Sequence, residues 1–74
     1  MEPNPQTLKY FRHGSTLYVS NSLPSLRKQR RKLAEQATGF ALSAFERTHP
    51  IISTSTSTVN ALSAVLTIKH VGAG

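Results

Sequence analysis

The chain of 74 residues has no cysteine, no tryptophan and only three acidic residues, Glu2, Glu35 and Glu46. Without cysteine there is no disulfide scaffold, no zinc knuckle and no thiol nucleophile, which fits a reducing compartment. Nine lysines and arginines against three acids give a formal charge of +6, so the long-range field favours polyanions: nucleic acid, anionic lipid or an acidic protein surface. That charge constrains the partner, not the fold. Long apolar runs are lacking too. The longest candidate, Val59 to Val71, falls short of the roughly 20 residues that cross a bilayer and is interrupted by Asn60, Ser63, Thr67 and Lys69.

Targeting signals are equally sparse. MEPNPQT has neither the basic nor the apolar region of a secretory signal. The stretch from Lys9 to Ala44 has the acid-poor, Arg- and Ser-containing character of a mitochondrial presequence, but it starts late, behind Pro3 and Pro5. Cytoplasm or nucleus is the expected location, with the mitochondrion as the alternative.

Catalytic constellations are missing as well. His13, His49 and His70 match no metal-ligand spacing, so they read as ordinary residues and no metal is expected. Nine serines, mostly in loops and with no strand-to-helix nucleophile elbow, form no specific triad with a histidine and Glu35 or Glu46. The glycines make no phosphate-cradling loop, and Gly72 and Gly74 simply end the chain. The expectation is a non-enzymatic protein with no cofactor and no small-molecule substrate.

What is present divides the chain into a tail, residues 1–6, and one small α+β domain, residues 7–74. Pro3 and Pro5 make the tail extended or disordered. LKYFRHGSTLYVS alternates around His13-Gly14, setting Leu8 and Tyr10 against Lys9 and Phe11, and Leu17 and Val19 against Thr16 and Tyr18. A β-hairpin over about residues 7 to 20 follows, with Gly14 supplying the turn. In NSLPS, Ser22 or Ser25 is the N-cap and Pro24 an early position of a helix that begins near Leu26. Pro50 limits its far end.

Between about Ser25 and Arg47, projection at ~100° per residue gathers Leu23, Leu26, Leu33, Ala34, Ala37, Phe40, Ala41, Ala44 and Phe45 into one arc, with Arg30 intruding. This predicts one long amphipathic helix. Its Ala-rich side invites close approach of another helix or a sheet, at a cost of ~1 kcal/mol for Gly39 relative to Ala. A homodimer through that side, or through the C-terminal apolar residues, suits so small a core. IISTSTSTV then reads as a Ser/Thr linker over residues 51–58 in preference to an edge strand. The last segment fits either a helix capped by Thr58 and closed by Gly72, or a strand with Leu62, Ala64, Leu66 and Ile68 on one face; alanine content favours the helix.

The strongest functional hint is RKQRRK, residues 27–32. Arg27, Lys28, Arg31 and Lys32 fall beside the apolar stripe, in what reads as the first two turns of the helix. There they oppose the helix dipole and repel one another, with Glu35 alone near enough to offset them. A polyanion converts that repulsion into counterion release and phosphate contacts, to which arginine's planar fork is suited. Lys9, Arg12 and a hairpin aromatic extend the surface for single-stranded RNA if the hairpin packs beside the helix. Arg30 either snorkels from the core or pairs with an acid across an interface.

The expected function is therefore RNA binding, in preference to DNA, through Arg27, Lys28, Arg30, Arg31 and Lys32 with Lys9 and Arg12. Three alternatives stand beside it: a module docking on an acidic protein, a nuclear localisation signal, and a peripheral binder of anionic membranes. In composition the chain resembles small accessory proteins of compact or overlapping viral reading frames: basic, rich in Ser, Thr and Leu, and poor in acids. That resemblance implies an accessory or regulatory role.

Overall fold

The computed structural model describes residues 7–37, 39 and 41–72. Two strands come first, β1 (Thr7–His13) and β2 (Thr16–Ser20), followed by α1 (Leu23–Gln36), α2 (Leu42–Thr48), β3 (Ile52–Ser55), α3 (Thr56–Leu62) and β4 (Thr67–His70). The fold is α+β, as expected, with a hairpin leading into the longest helix. The expected tail at residues 1–6, and the placements of Phe40 and Gly74, lie outside the described residues.

β1 and β2 pair antiparallel from Lys9↔Ser20 to His13↔Thr16. Gly14 makes the turn at φ +63°, and the Arg12 Nε donates to its carbonyl over 2.8 Å. The register places Leu8, Tyr10, Leu17 and Val19 on one face and stacks Phe11 on Tyr18 on the other, ring centroids 5.1 Å apart. Both faces are therefore apolar, and both need cover.

The sheet order β3-β1-β2-β4 supplies it. β3 is antiparallel to β1 and β4 is parallel to β2, so β2, β3 and β4 all run in one direction. Each parallel step needs a long crossover. α1 and α2, between β2 and β3, cover one face, where Phe11, Tyr18 and Leu26 are buried together with Leu33, Ile51 and Val71 around them. α3, between β3 and β4, covers the other, where Val59 packs on Leu17 and Val19 beside Leu8, Tyr10, Leu62, Leu66 and Ile68.

Three sequence expectations need correction. The single helix to Arg47 is two helices: α1 ends at Gln36, Ala37 and Ala41 are extended, and Gly39 lies between them at φ +85°. An unbroken helix of 23 residues spans about 35 Å, whereas the seven residues of β1 span about 23 Å. It would overshoot the sheet; the break folds α2 back and buries Phe45, 2% exposed. Periodicity does not register the break because both helices bury an apolar side, α1 through Leu26 and Ala34 and α2 through Phe45.

The Ser/Thr stretch 51–58 is not a linker. Ile52 to Ser55 pair with β1 from Tyr10↔Ile52 to Thr7↔Ser55, and the Ser55 hydroxyl accepts from the Thr58 amide to cap α3. Thr58 is thus inside that helix, and the cap lies three residues earlier than expected. The C-terminal segment is both a helix and a strand: α3 stops at Leu62 and β4 follows, its ends tied by Thr67 N–H to the Ser15 carbonyl and Val71 N–H to the Val19 carbonyl. Gly72, at φ +68°, closes no helix; it passes so close to Ser25 that a Cβ there would collide with that side chain.

Candidate nucleic-acid interface

Ser22 fixes where the basic segment begins. Its hydroxyl accepts from the Ser25 amide, so α1 starts at Leu23, one turn before the expected start, with Pro24 in the first turn. The cations therefore occupy the second and third turns. Dipole effects fade beyond the first turn, so the unfavourable term there is mutual repulsion, not the dipole. Like charges face each other at Arg27/Arg31 and Lys28/Lys32, spaced i,i+4, and at Lys28/Arg31, spaced i,i+3.

Arg27, Lys28, Arg31 and Lys32 are all exposed. At ~100° per residue they cover an arc of roughly 140° on the side opposite Leu26 and Leu33. Among the described residues none of the four makes an ion pair or a side-chain hydrogen bond, and Glu35, exposed in the same arc, pairs with neither Arg31 nor Lys32. The result is a ridge of free cations.

The other expected contacts are placed differently. Arg30 has only 11% of its side chain exposed; its Nη1 donates to the His49 carbonyl over 3.0 Å and its Nη2 lies 3.8 Å from the Glu46 carboxylate. It pairs with an acid within its own chain and not across an interface, tying α1 to the end of α2. Its Nε is buried without a hydrogen-bond partner. Lys9 sits between Ser20 and Ser53 on the α1 side of the sheet, whereas Arg12 alternates to the opposite face beside the hairpin turn. The two do not extend the ridge together. Phe11 and Tyr18 are buried beneath α1 and the half-buried Tyr10 packs in the α3 layer, on the face away from the ridge, so none of the three extends the ridge as a platform for bases.

Arg47 is the residue that sequence reasoning missed. On a continuous helix it would stand about 30 Å from Arg27. The break at Gly39 instead brings it to the same open cleft of ≈ 690 Å3 between α1 and α2, lined by Arg27, Arg30, Ser43, Glu46 and Arg47 together with Leu23, Pro50 and Ile51. Gly39 was the available signal. Arg27 and Glu46 also line the adjoining depression with Lys28 and Arg31, so cleft and ridge are continuous.

Near the far end of α2, the rings of Phe45 and His49 stack at 4.0 Å and His13 lies 5.5 Å from His49. The His49 Nδ1 is 2.9 Å from both the Phe45 carbonyl and the Thr48 hydroxyl, which places it in the helix's C-terminal cap. No group of three or more metal-ligating side chains occurs among the described residues. No helix among them is long and apolar enough to cross a membrane. No protein family matches the chain, and no curated protein or solved structure is significantly similar to it.

Proposed function

We propose that this protein binds RNA without catalysing a reaction, through phosphate contacts from Arg27, Lys28, Arg31 and Lys32. The observation that carries this reading is the ridge itself: four exposed cations on one side of α1, none of them neutralised among the described residues. Fixed on a helix, they present a surface to which a phosphate backbone brings charge while releasing its own counterions. Contacts of that kind position a strand and carry little base information, so sequence preference is weak.

Four contacts predict that the logarithm of the RNA association constant falls against the logarithm of salt with a slope of roughly −3 for a single strand. Replacing all four residues with Gln removes most of that slope and leaves the circular dichroism spectrum unchanged, since the side chains project from the fold. Fluorescence anisotropy with a labelled oligonucleotide measures both. Affinity that ignores salt, or survives the four replacements, overturns the proposal. Capture of an acidic protein from nuclease-treated lysate by a chain that binds no RNA favours the protein-docking alternative instead.

A further inference from the structure

We infer that the cleft between α1 and α2 holds one unpaired nucleotide of the bound strand, an inference that rests on the RNA-binding reading above. The chemistry of the lining is the argument. Glu46 serves the fold by pairing its Oε2 with Arg30, but the same carboxylate also stands in the cleft among Arg27, Arg30 and Arg47, where it would repel a phosphate bound alone. A nucleotide uses both signs of charge and the apolar lining. Its phosphate takes the guanidinium donors of Arg27 and Arg47, which reach the cleft from different helices. Its ribose hydroxyls or base amino group donate to Glu46, whose side chain is 41% exposed and only loosely held at 3.8 Å by Arg30. The base lies against Leu23, Pro50 and Ile51.

Size and access agree. At ≈ 690 Å3 the open cleft has more room than a single phosphate needs. A strand lying on the ridge reaches the cleft without a gap, because Arg27 and Glu46 border both. Phe11 and Tyr18 are buried and Tyr10 is half-buried in the α3 layer, so an unstacked base beside the ridge finds cover against Leu23, Pro50 and Ile51. A base held in a duplex is not free to enter, so the protein prefers single strands.

The test uses isotope-labelled full-length protein and amide NMR with two probes at matched ionic strength, adenosine 5′-monophosphate and inorganic phosphate. The nucleotide shifts the resonances of Ser43, Arg47 and Ile51, and inorganic phosphate does so far less. In parallel, Arg47→Gln, at an exposed position, weakens single-stranded RNA binding about fivefold, the effect of one lost phosphate contact near 0.1 M salt, and duplex binding less than twofold. Equal shifts with both probes overturn the inference, since the nucleoside is then not read. RNA binding that shifts only Lys28 and Lys32 and is indifferent to Arg47→Gln overturns the cleft and leaves the ridge standing. Nucleotide shifts in the cleft by a chain that binds no oligonucleotide support the cleft and remove the ridge.

Discussion

The two helical layers do the same mechanical work with opposite chemistry. Both cover an apolar face of one sheet: α1 lays Leu26 on Phe11 and Tyr18, and α3 lays Val59 on Leu17 and Val19. Yet α1 and α2 carry six of the nine cations, while α3, TSTVNAL, has no charged residue. A covering helix in this fold therefore needs no charge to do its packing. Arg30 ties α1 to α2 through Glu46 and His49, but Arg27, Lys28, Arg31 and Lys32 make no such contact among the described residues, and the comparison isolates those four more sharply than the number of cations in the sequence does.

The comparison breaks first if the two layers are not both held by their apolar contacts. Leu26 is fully buried, so Leu26→Ala should cost about 2–5 kcal/mol. A chain of this size holds about 4–11 kcal/mol in all, so a substantial unfolded population at 37 °C is expected. Val59→Ala removes less side chain and should cost about 2 kcal/mol. Urea denaturation followed by circular dichroism measures both. A neutral Val59→Ala would mean that α3 rests on the sheet without stabilising it, and the equivalence of the layers would fail.

Smaller effects come from the caps. Ser22 opens α1 and Ser55 opens α3, each accepting from the amide three residues on, and neither helix has an acid in its first turn to share the task. Ser22→Ala should lower global stability by about 1 kcal/mol. Ser22 is part-buried, and its hydroxyl also accepts from the Ser25 hydroxyl. Ser55→Ala acts on an exposed, seven-residue helix, so the loss should appear as fraying, read by faster amide exchange at Thr58 and Val59 with a smaller change in the urea midpoint. Equal global losses from the two caps would show α3 to be as integral to the cooperative fold as α1.

How far the sequence discloses these layers depends on which interactions are local. The hairpin was legible because alternation and Gly14 act within a few residues, and the Ser22 cap because NSLPS carries it, although the helix begins at Leu23, one turn before the expected Leu26. The break between α1 and α2 was not, because its cause is the length of a sheet assembled elsewhere in the chain; only Gly39 hinted at it. Without the break Arg47 could not be placed beside Arg27, nor Arg30 beside Glu46. The Ser/Thr stretch misled for a related reason. Ser and Thr carry little burial signal, and Ile52 to Ser55 become a strand because β1 offers an unpaired edge, a long-range fact. The four ridge residues were legible since helical phase alone separates them from Leu26 and Leu33.

The smallest effect is the most diagnostic, because stability and binding should move in opposite directions. Lys28 faces Arg31 and Lys32 at repulsive spacings in the middle of α1, and Lys28→Glu turns both contacts into attractions, with the acid N-terminal to each cation as the helix favours. The variant should be more stable by about 0.5 kcal/mol at low ionic strength, and that gain should vanish as salt screens exposed charges. RNA binding should weaken in the same variant, since a phosphate contact is lost and a repulsive one introduced. Urea midpoints at low and high salt, set beside anisotropy titrations, separate the two effects. A loss of stability in Lys28→Glu would mean that the cation supports the fold and that α1 differs from α3 for structural reasons. A gain in stability with weaker binding is what a helix retaining unfavourable charge for an external anion must produce.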